Sequence, residues 1–404
     1  MGGTTAKACL IENRTPLVTG LFEVDRRYRF KEGSGLPVTV PSIDLIEIGA
    51  GGGSIAHVDE LGLLKVGPES AGSKPGPACY GRGGKNATVT DADLMLGLID
   101  ADNFLGGEMR LDRAATEHAM KSLADRLGTS AVQASRGIYR VVTEAMASAA
   151  RAHATDRGVD YRGLPLFAFG GAGPLHACGV AELLQSSSVI VPPRSSVLSA
   201  FGTLVTPLRL DLVRSDLVRL DAIDWTRTEK LLGELEKEGR LALMEAGCEA
   251  SDVEIHIGAD LRYFGQQHEV TVTFDHDPRN SRDTQAIEAL FSEAYHTLYG
   301  VNPSHVPVEV VSWRITVNGP AVHFHPAGQP ASAPGQPKGH RAVHAWQDRQ
   351  MVAVYERRDL AVGQIVEGPV IIEERETTTA IPPNWVATID AFGCIVATRT
   401  PAQA

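Results

Sequence analysis

The sequence predicts an α/β fold followed by an α+β domain. Three observations carry that expectation. Glycine-rich turns recur in the first half, at 1–5, 49–54 and 170–174. Around them, helical periodicity at spacings of three and four alternates with short apolar strands. Beyond about residue 222 the pattern changes to period-two strands interrupted by helices.

Met1-Gly2-Gly3-Thr4-Thr5 reads as a phosphate-binding turn. It opens into a strand in which Ala6, Ala8 and Leu10 alternate with Lys7, Cys9 and Ile11. Glycines let backbone N–H groups approach an anion with no Cβ in the way. The threonines add hydroxyl donors and Lys7 adds a positive charge. The competing reading is a loose glycine-containing segment, because short Gly-rich matches are weak signals. Gly51-Gly52-Gly53-Ser54 make another glycine turn, which can meet a phosphate or substrate or can be a tight bend. Asp91 and Asp93 follow a Thr-Val-Thr strand, and one of them is expected to cap a helix starting at Leu94.

Asp112 is expected to cap a helix that turns Ala119, Met120, Leu123 and Leu127 to the core and ends at Gly128. A longer helix over 131–156 places Ala134, Ile138, Val141, Ala145, Ala149 and Ala152 on one face, with Gly158 as its stop. A buried strand at 166–169 runs into Gly170-Gly171-Ala172-Gly173-Pro174 and then a helix. Pro174 suits a first helical turn, whose N–H has no intrahelical partner. The turn lets a flat or anionic ligand approach a helix N-terminus, or is simply a tight connection. A strand at 188–191 ends at Pro192-Pro193.

The first domain is expected over 1–208 and the second over 222–398, joined near 209–221. The second reads as a helix at 226–247, a strand at 253–263, a partner strand near 270–274 and a helix closed by Gly300. A strand at 311–317, a Pro- and Gly-rich loop at 326–338 and short strands near 351–355, 369–373 and 393–397 complete it.

With 38 basic and 49 acidic residues the net charge is −11, which argues against general nucleic-acid binding. No apolar run reaches membrane-spanning length, so a membrane is not an expected partner either. Cys9, Cys79, Cys178, Cys248 and Cys394 are scattered, with no Cys-x-x-Cys pair, which fits free thiols in a reducing cytoplasm. Cys79 reads as a packed residue, with a nucleophile as the alternative. His57 and Asp59 are candidate ligands for a divalent ion. His323, His325, His340 and His344 border the low-complexity loop and read as a solvated surface. His176 reads as a ligand contact or an ordinary first-turn residue, and Arg82 as an anion contact. Catalytic residues and metal ligands remain unassigned.

A longer order of motifs is more specific. Ile48-Gly49-Ala50-Gly51-Gly52-Gly53-Ser54-Ile55-Ala56 precedes Val66-Gly67-Pro68-Glu69-Ser70-Ala71-Gly72. Pro75-Gly76-Pro77-Ala78-Cys79-Tyr80-Gly81 and Thr88-Val89-Thr90-Asp91-Ala92-Asp93-Leu94 follow. Near the far end stand Gly368-Pro369-Val370-Ile371-Ile372-Glu373-Glu374, Thr377-Thr378-Thr379 and Pro382-Pro383-Asn384-Trp385. Together with the turns at 2–5 and 170–174, this order resembles the hydantoinase A/5-oxoprolinase family from residue 1 to about 398. That family includes ATP-dependent 5-oxoprolinases, N-methylhydantoinases and the ATP-binding subunits of acetone and acetophenone carboxylases.

The resemblance implies a partial ATPase-type domain of the actin, sugar-kinase and Hsp70 class over 1–208. It implies ATP with Mg2+ or another divalent metal, and ATP-dependent hydrolysis of a cyclic amide through phosphorylation of its carbonyl. Gly2, Gly3, Thr4, Thr5 and Lys7 would contact phosphates. Gly170, Gly171, Ala172, Gly173 and Pro174 would line the base and ribose. Gly51, Gly52, Gly53 and Ser54 would lie between them. The implied partners are a hydantoinase B-like subunit or domain and a small cyclic amide.

The chain departs from the family pattern in one respect. Nothing in it matches the family's first phosphate motif, nor the acidic residue that precedes the Met-Gly-Gly-Thr-Thr turn. A separately encoded N-terminal piece is therefore a further expected partner, and the isolated chain is expected to lack hydrolase activity. The alternatives are an ATP-binding subunit of a ketone carboxylase and a non-catalytic scaffold. Limited proteolysis is expected to cut exposed loops such as 326–338 before the 131–156 helix. A first cut inside that helix would contradict the expected division.

Overall fold

The computed structural model describes residues 1–12, 14–24, 27, 33–303, 305–322 and 333–400. His323, His325 and much of the expected 326–338 loop lie outside them. The described residues fall into two compact units. One combines 1–201 with 333–400, and the other runs from Gly202 to Val322.

In the first unit, β1 (Ala6–Cys9) leaves the opening turn. A short pair, β2 (Ile11–Glu12) and β3 (Thr15–Pro16), precedes the hairpin of β4 (Val18–Val24) and β5 (Leu36–Ile43). That hairpin leaves Val18, Phe22, Val24, Leu36 and Val38 exposed. β6 (Leu45–Ile48) returns antiparallel to β1, with Ala6 opposite Ile48 and Lys7 opposite Glu47. β7 (Ser54–Val58) and β8 (Leu64–Ser70) form another hairpin.

α1 spans Val89–Met95, not a helix begun at Leu94. Thr88 caps it: its hydroxyl accepts from the Asp91 N–H while the Asp91 carboxylate accepts from the Thr88 N–H. The same carboxylate accepts from the Ala78 and Cys79 amides at 3.1 and 2.7 Å. Asp93 lies inside the helix.

α2 (Arg113–Leu127) begins at its expected cap, Asp112, and ends on Gly128 in the left-handed region. α3 (Ala131–Asp156) keeps its expected bounds. Its burial is wider than one stripe, however. Ala134 and Ile138 join the core of α1 and α2, whereas Ala147 packs with Val180 and Leu184. Its alanines fit a helix pressed between neighbours on more than one side. β9 (Leu166–Phe167), α4 (Gly173–Leu184) and β10 (Val189–Val191) follow, with β9 and β10 parallel.

The chain leaves the first unit within α5 (Leu198–Val205). The second unit contains β11 (Arg209–Arg219), α6 (Trp225–Glu245), β12 (Glu254–Tyr263), β13 (Val270–Thr273), α7 (Pro278–Ser281), α8 (Thr284–Tyr299) and β14 (Val308–Asn318). Its antiparallel sheet has the order β11-β14-β12-β13. Leu232 and Leu235 of α6 and Phe291 of α8 share its core with Trp313 and Ile315 of β14.

The expected second domain over 222–398 needs correction as a spatial unit. β15 (Gly339–Val343), β16 (Gln350–Glu356), β17 (Ile365–Glu367), β18 (Val370–Glu373), β19 (Thr378–Ile381), β20 (Trp385–Ile389) and β21 (Ile395–Arg399) all pack in the first unit. β21 pairs directly with β10, giving the sheet order β17-β20-β21-β10-β9. The strands β15-β16-β18-β19 form a second sheet. The reason is apolar complementarity. Val366, Ile372, Ile381, Trp385 and Ile395 bury against Ala177, Val189 and Val191.

Among the described residues no helix is long and apolar enough to cross a membrane. Cys79 is buried in the core around Leu96 and Leu98. Burial, reinforced by the Asp91 carboxylate, pushes its thiol upward, which suits packing and not nucleophilic attack. Ellman's reagent is expected to label exposed Cys9 in the folded protein while Cys79 stays unlabelled until denaturation. Rapid native labelling of Cys79 would contradict its placement.

Trp385 gives a second check. Its ring is buried and its Nε1–H donates to Glu182 Oε1 of α4 at 2.8 Å. Trp385→Ala is expected to cost about 3–5 kcal/mol and to speed amide exchange in α4. Unchanged exchange across 173–184 would contradict the return of the C-terminal strands to this unit.

Candidate functional site

The three glycine turns, far apart in sequence, meet in the first unit. In the opening turn the Gly2 N–H donates to Thr5 O at 3.1 Å, leaving Gly3 and Thr4 at the tip. Beneath it lies the 49–54 turn. The Gly52 and Gly53 amides donate to the carbonyls of Gly2 and Gly3 at 2.9 and 2.6 Å. A Cβ on Gly51 would stand 2.6 Å from the backbone of Gly3 and Thr4, so only glycine allows this approach. Thr90 of α1 holds Gly52 in turn, its N–H and its hydroxyl both donating to Gly52 O at 2.8 Å.

The 170–174 turn is tied to the same knot. The Ala172 and Gly173 amides donate to Met1 O at 3.2 and 3.1 Å, and the Met1 amino group donates to Phe169 O at 2.9 Å. Gly170 has a φ of +93°, and a Cβ there would lie 2.2 Å from Met1 O. Pro174 is buried in the first turn of α4 and, lacking an N–H, leaves no donor unused there. From the C-terminal strands, the Thr377 hydroxyl donates to Gly171 O at 3.0 Å.

These bonds sort the expected site residues. Gly51, Gly52, Gly53 and Ser54 all spend their amides inside the protein, as in a tight bend. Ser54 is fully buried, and its hydroxyl accepts from the Gly51 N–H at 2.8 Å and faces Gly49 O at 3.4 Å. Gly170, Ala172 and Gly173 spend their amides inside the protein. Gly3, Thr4 and Gly171 are different. Their amides have no acceptor among the described residues, and all three residues are exposed. No atom lies within 4 Å of where a Cβ would stand on Gly2 or Gly3, and Gly171 would meet only Glu376 O, at 3.6 Å. The result is an open surface with unused N–H groups beside a helix N-terminus, where the dipole favours negative charge.

Lys7 is not a free cation aimed at that surface. Its Nζ donates to Glu47 Oε1 on the neighbouring strand at 2.8 Å and to Thr5 Oγ1 at 2.7 Å. The Lys7 ammonium, through its hydrogen bond, holds the Glu47 carboxyl below the usual carboxylate range. Lys7 and Thr5 therefore brace the turn from β1. Arg82 lies over the Tyr80 ring at 5.9 Å.

Asp59 Oδ1 accepts from the Leu61 and Leu63 amides at 3.0 and 2.8 Å, which makes it the organiser of a turn. Among the described residues no three His, Cys, Asp or Glu side chains are grouped to hold a metal.

Sequence reasoning missed the supports, Thr90 and Thr377, because each acts on a backbone carbonyl of a distant turn. It also missed a buried pair behind α4. His176 Nε2 lies 3.6 Å from Asp93 Oδ2, His176 Nδ1 lies 3.3 Å from the Thr143 hydroxyl, and the imidazole stacks on Tyr139 at 4.6 Å. Both members are almost wholly buried. The pair joins α1 to α4, and only helix-to-helix packing brings the two residues together.

Known proteins share this organisation. Residues 1–211 match the family model described as hydantoinase/oxoprolinase, and residues 224–396 match the hydantoinase/oxoprolinase C-terminal domain. An uncharacterised protein of Methanocaldococcus jannaschii is 38% identical over 402 residues, covering 98% of this chain and 57% of that protein. The caprolactamase subunit alpha of Pseudomonas jessenii is 36% identical over 363 residues, covering 87% of this chain and 52% of the relative. The crystal structure of the ATP-dependent caprolactamase from the same organism aligns with a TM-score of 0.73 at 33% identity, over 99% of this chain and 58% of that one. The acetophenone carboxylase gamma subunit of Aromatoleum aromaticum is 32% identical over 383 residues, covering 89% of this chain and 51% of the relative. The chain thus spans a little over half the length of these relatives. With its two matched segments in the family's order and its glycine turns joined in one unit, the chain belongs to the hydantoinase/oxoprolinase family.

Proposed function

We propose that this chain binds ATP at the surface of Gly3, Thr4 and Gly171 and works with a partner polypeptide to hydrolyse a cyclic amide. The observation that carries the reading is the set of unused amides on Gly3, Thr4 and Gly171, at turns held open by glycine. Donors fixed by backbone bonds need no reorganisation to meet an anion, which is where preorganised sites gain most. A relative at 36% identity is a caprolactamase subunit alpha, and an ATP-dependent caprolactamase structure aligns at 33% identity.

Resonance makes a ring amide a poor target for water. When bound, ATP supplies a phosphoryl group that turns the amide oxygen into a leaving group. In this chain the Gly3 and Thr4 amides and the Thr4 hydroxyl would take phosphate oxygens, and the Gly171 amide would border the rest of the nucleotide. Thr5, Lys7 and Glu47 hold the turn in shape. Mg2+ belongs to the proposal as an ion carried largely by the nucleotide phosphates, as is usual for that metal. The exposed apolar side chains of β4 and β5 are a surface for the partner. A ketone carboxylase subunit is the second reading, favoured by the relationship to an acetophenone carboxylase gamma subunit.

Calorimetry with ATP separates the roles of adjacent glycines. Gly171→Val faces only ordinary contact and should leave unfolding unchanged while weakening ATP binding tenfold or more. Gly170→Ala should destabilise the fold itself, because its Cβ would overlap Met1 O. Equal ATP affinity in Gly171→Val and wild type would overturn the assignment. Activity is read by phosphate release from Mg2+-ATP by the chain with its partner. Stimulation by caprolactam, 5-oxoproline or hydantoin supports the hydrolase. Stimulation only by a ketone with bicarbonate supports the carboxylase.

A further inference from the structure

We propose that Asp93 and His176 are positioning residues for nucleotide binding: by sharing one buried proton they hold the phosphate side of the site in register with the Gly171 side. The role rests on the nucleotide reading above, yet neither residue touches the ligand.

Each member sits one helical turn behind a backbone clamp. In α1, the Thr90 N–H and hydroxyl hold Gly52 O, and the Gly52 amide holds Gly2 O. Asp93 follows Thr90 by one turn, on the same side of the helix. In α4, the Gly173 amide holds Met1 O, and His176 follows it by one turn. The pair thus ties the helix that supports the opening turn to the helix that begins at the 170–174 turn. Tyr139 of α3 seats the same turn of α4, stacking on the imidazole and donating its hydroxyl to Leu175 O at 3.1 Å.

The hydrogen bonds locate the proton. The Thr143 hydroxyl gives its one hydrogen to Tyr139 O at 2.7 Å, so it meets His176 Nδ1, 3.3 Å away, as an acceptor. Nδ1 therefore carries a hydrogen, and a neutral imidazole is left with a lone pair on Nε2. That lone pair faces Asp93 Oδ2 at 3.6 Å. Neither Nε2 nor Asp93 Oδ1 has a hydrogen-bond partner among the described residues. His176 is 0% and Asp93 2% exposed, so bulk water does not satisfy them. One proton between Nε2 and Oδ2 removes the conflict of two facing acceptors, whereas loss of either partner leaves a buried polar group unpaired.

ATP spans both sides of the site, so its affinity carries an advantage over its parts that depends on their fixed spacing. Tripolyphosphate tests the phosphate side alone and adenosine the Gly171 side alone. Calorimetry with these two probes and a non-hydrolysable ATP analogue is run on the full chain and its variants. In Asp93→Leu, affinity for the analogue is expected to fall about tenfold, with tripolyphosphate and adenosine each within about twofold of wild type. Asp93→Asn can donate an N–H to Nε2 and should restore the analogue to within about twofold. Asp93→Leu combined with His176→Phe leaves no buried acceptor unpaired, so it should fold even where the single variant does not, and should still lose the analogue selectively. Wild-type affinity for the analogue in the folded double variant would overturn the proposal. So would a parallel loss of all three probes, which marks a merely structural role, or a failure of Asp93→Asn to rescue. If the wild-type chain binds none of the three, the nucleotide reading falls and the positioning role falls with it.

Discussion

Two backbone hydrogen bonds, from the Gly52 and Gly53 amides to the carbonyls of Gly2 and Gly3, organise the site. They press one glycine turn onto another at a distance that no Cβ tolerates, as the 2.6 Å clash at Gly51 indicates. Because the lower turn spends its N–H groups on carbonyls of the upper one, the upper turn keeps its tip amides free. The 170–174 turn is fastened by the same logic, its amides taking the Met1 carbonyl. The unused donors are thereby limited to a few amides, while the neighbouring glycines bear the mechanical role.

That division of labour is not legible in the glycine motifs themselves. Gly3 and Gly52 are indistinguishable as letters, since both sit in short runs that relax backbone sterics. One faces open space and the other faces Thr90. Lys7 was equally ambiguous. A cation near a phosphate-type turn invites an ionic role, but strand register sets it opposite Glu47. Only pairing geometry decides between the two.

Local signals were read well where the chemistry is local. Asp112 and Gly128 bracket α2, and α3 keeps its expected bounds. Period-two strands also stood out, as in β12. The return of β15–β21 to the first unit was not legible, because alternation marks a buried face without naming its partner. Trp385 becomes meaningful only beside Glu182. The start of α1 was misplaced because one of Asp91 and Asp93 was read as a cap, whereas both lie inside the helix that Thr88 caps. The His176–Asp93 pair likewise depends on helix packing that no short motif encodes.

The central claim is that the 49–54 turn shapes the opening turn for a phosphate. Gly51→Ala tests it most directly, since one methyl group intrudes on Gly3 and Thr4 without adding polar chemistry. The measurement is calorimetric affinity for a non-hydrolysable ATP analogue, with amide exchange in the second unit as the control for folding. The expected result is at least a tenfold loss of affinity with second-unit exchange unchanged. Wild-type affinity in a folded Gly51→Ala protein would contradict the account.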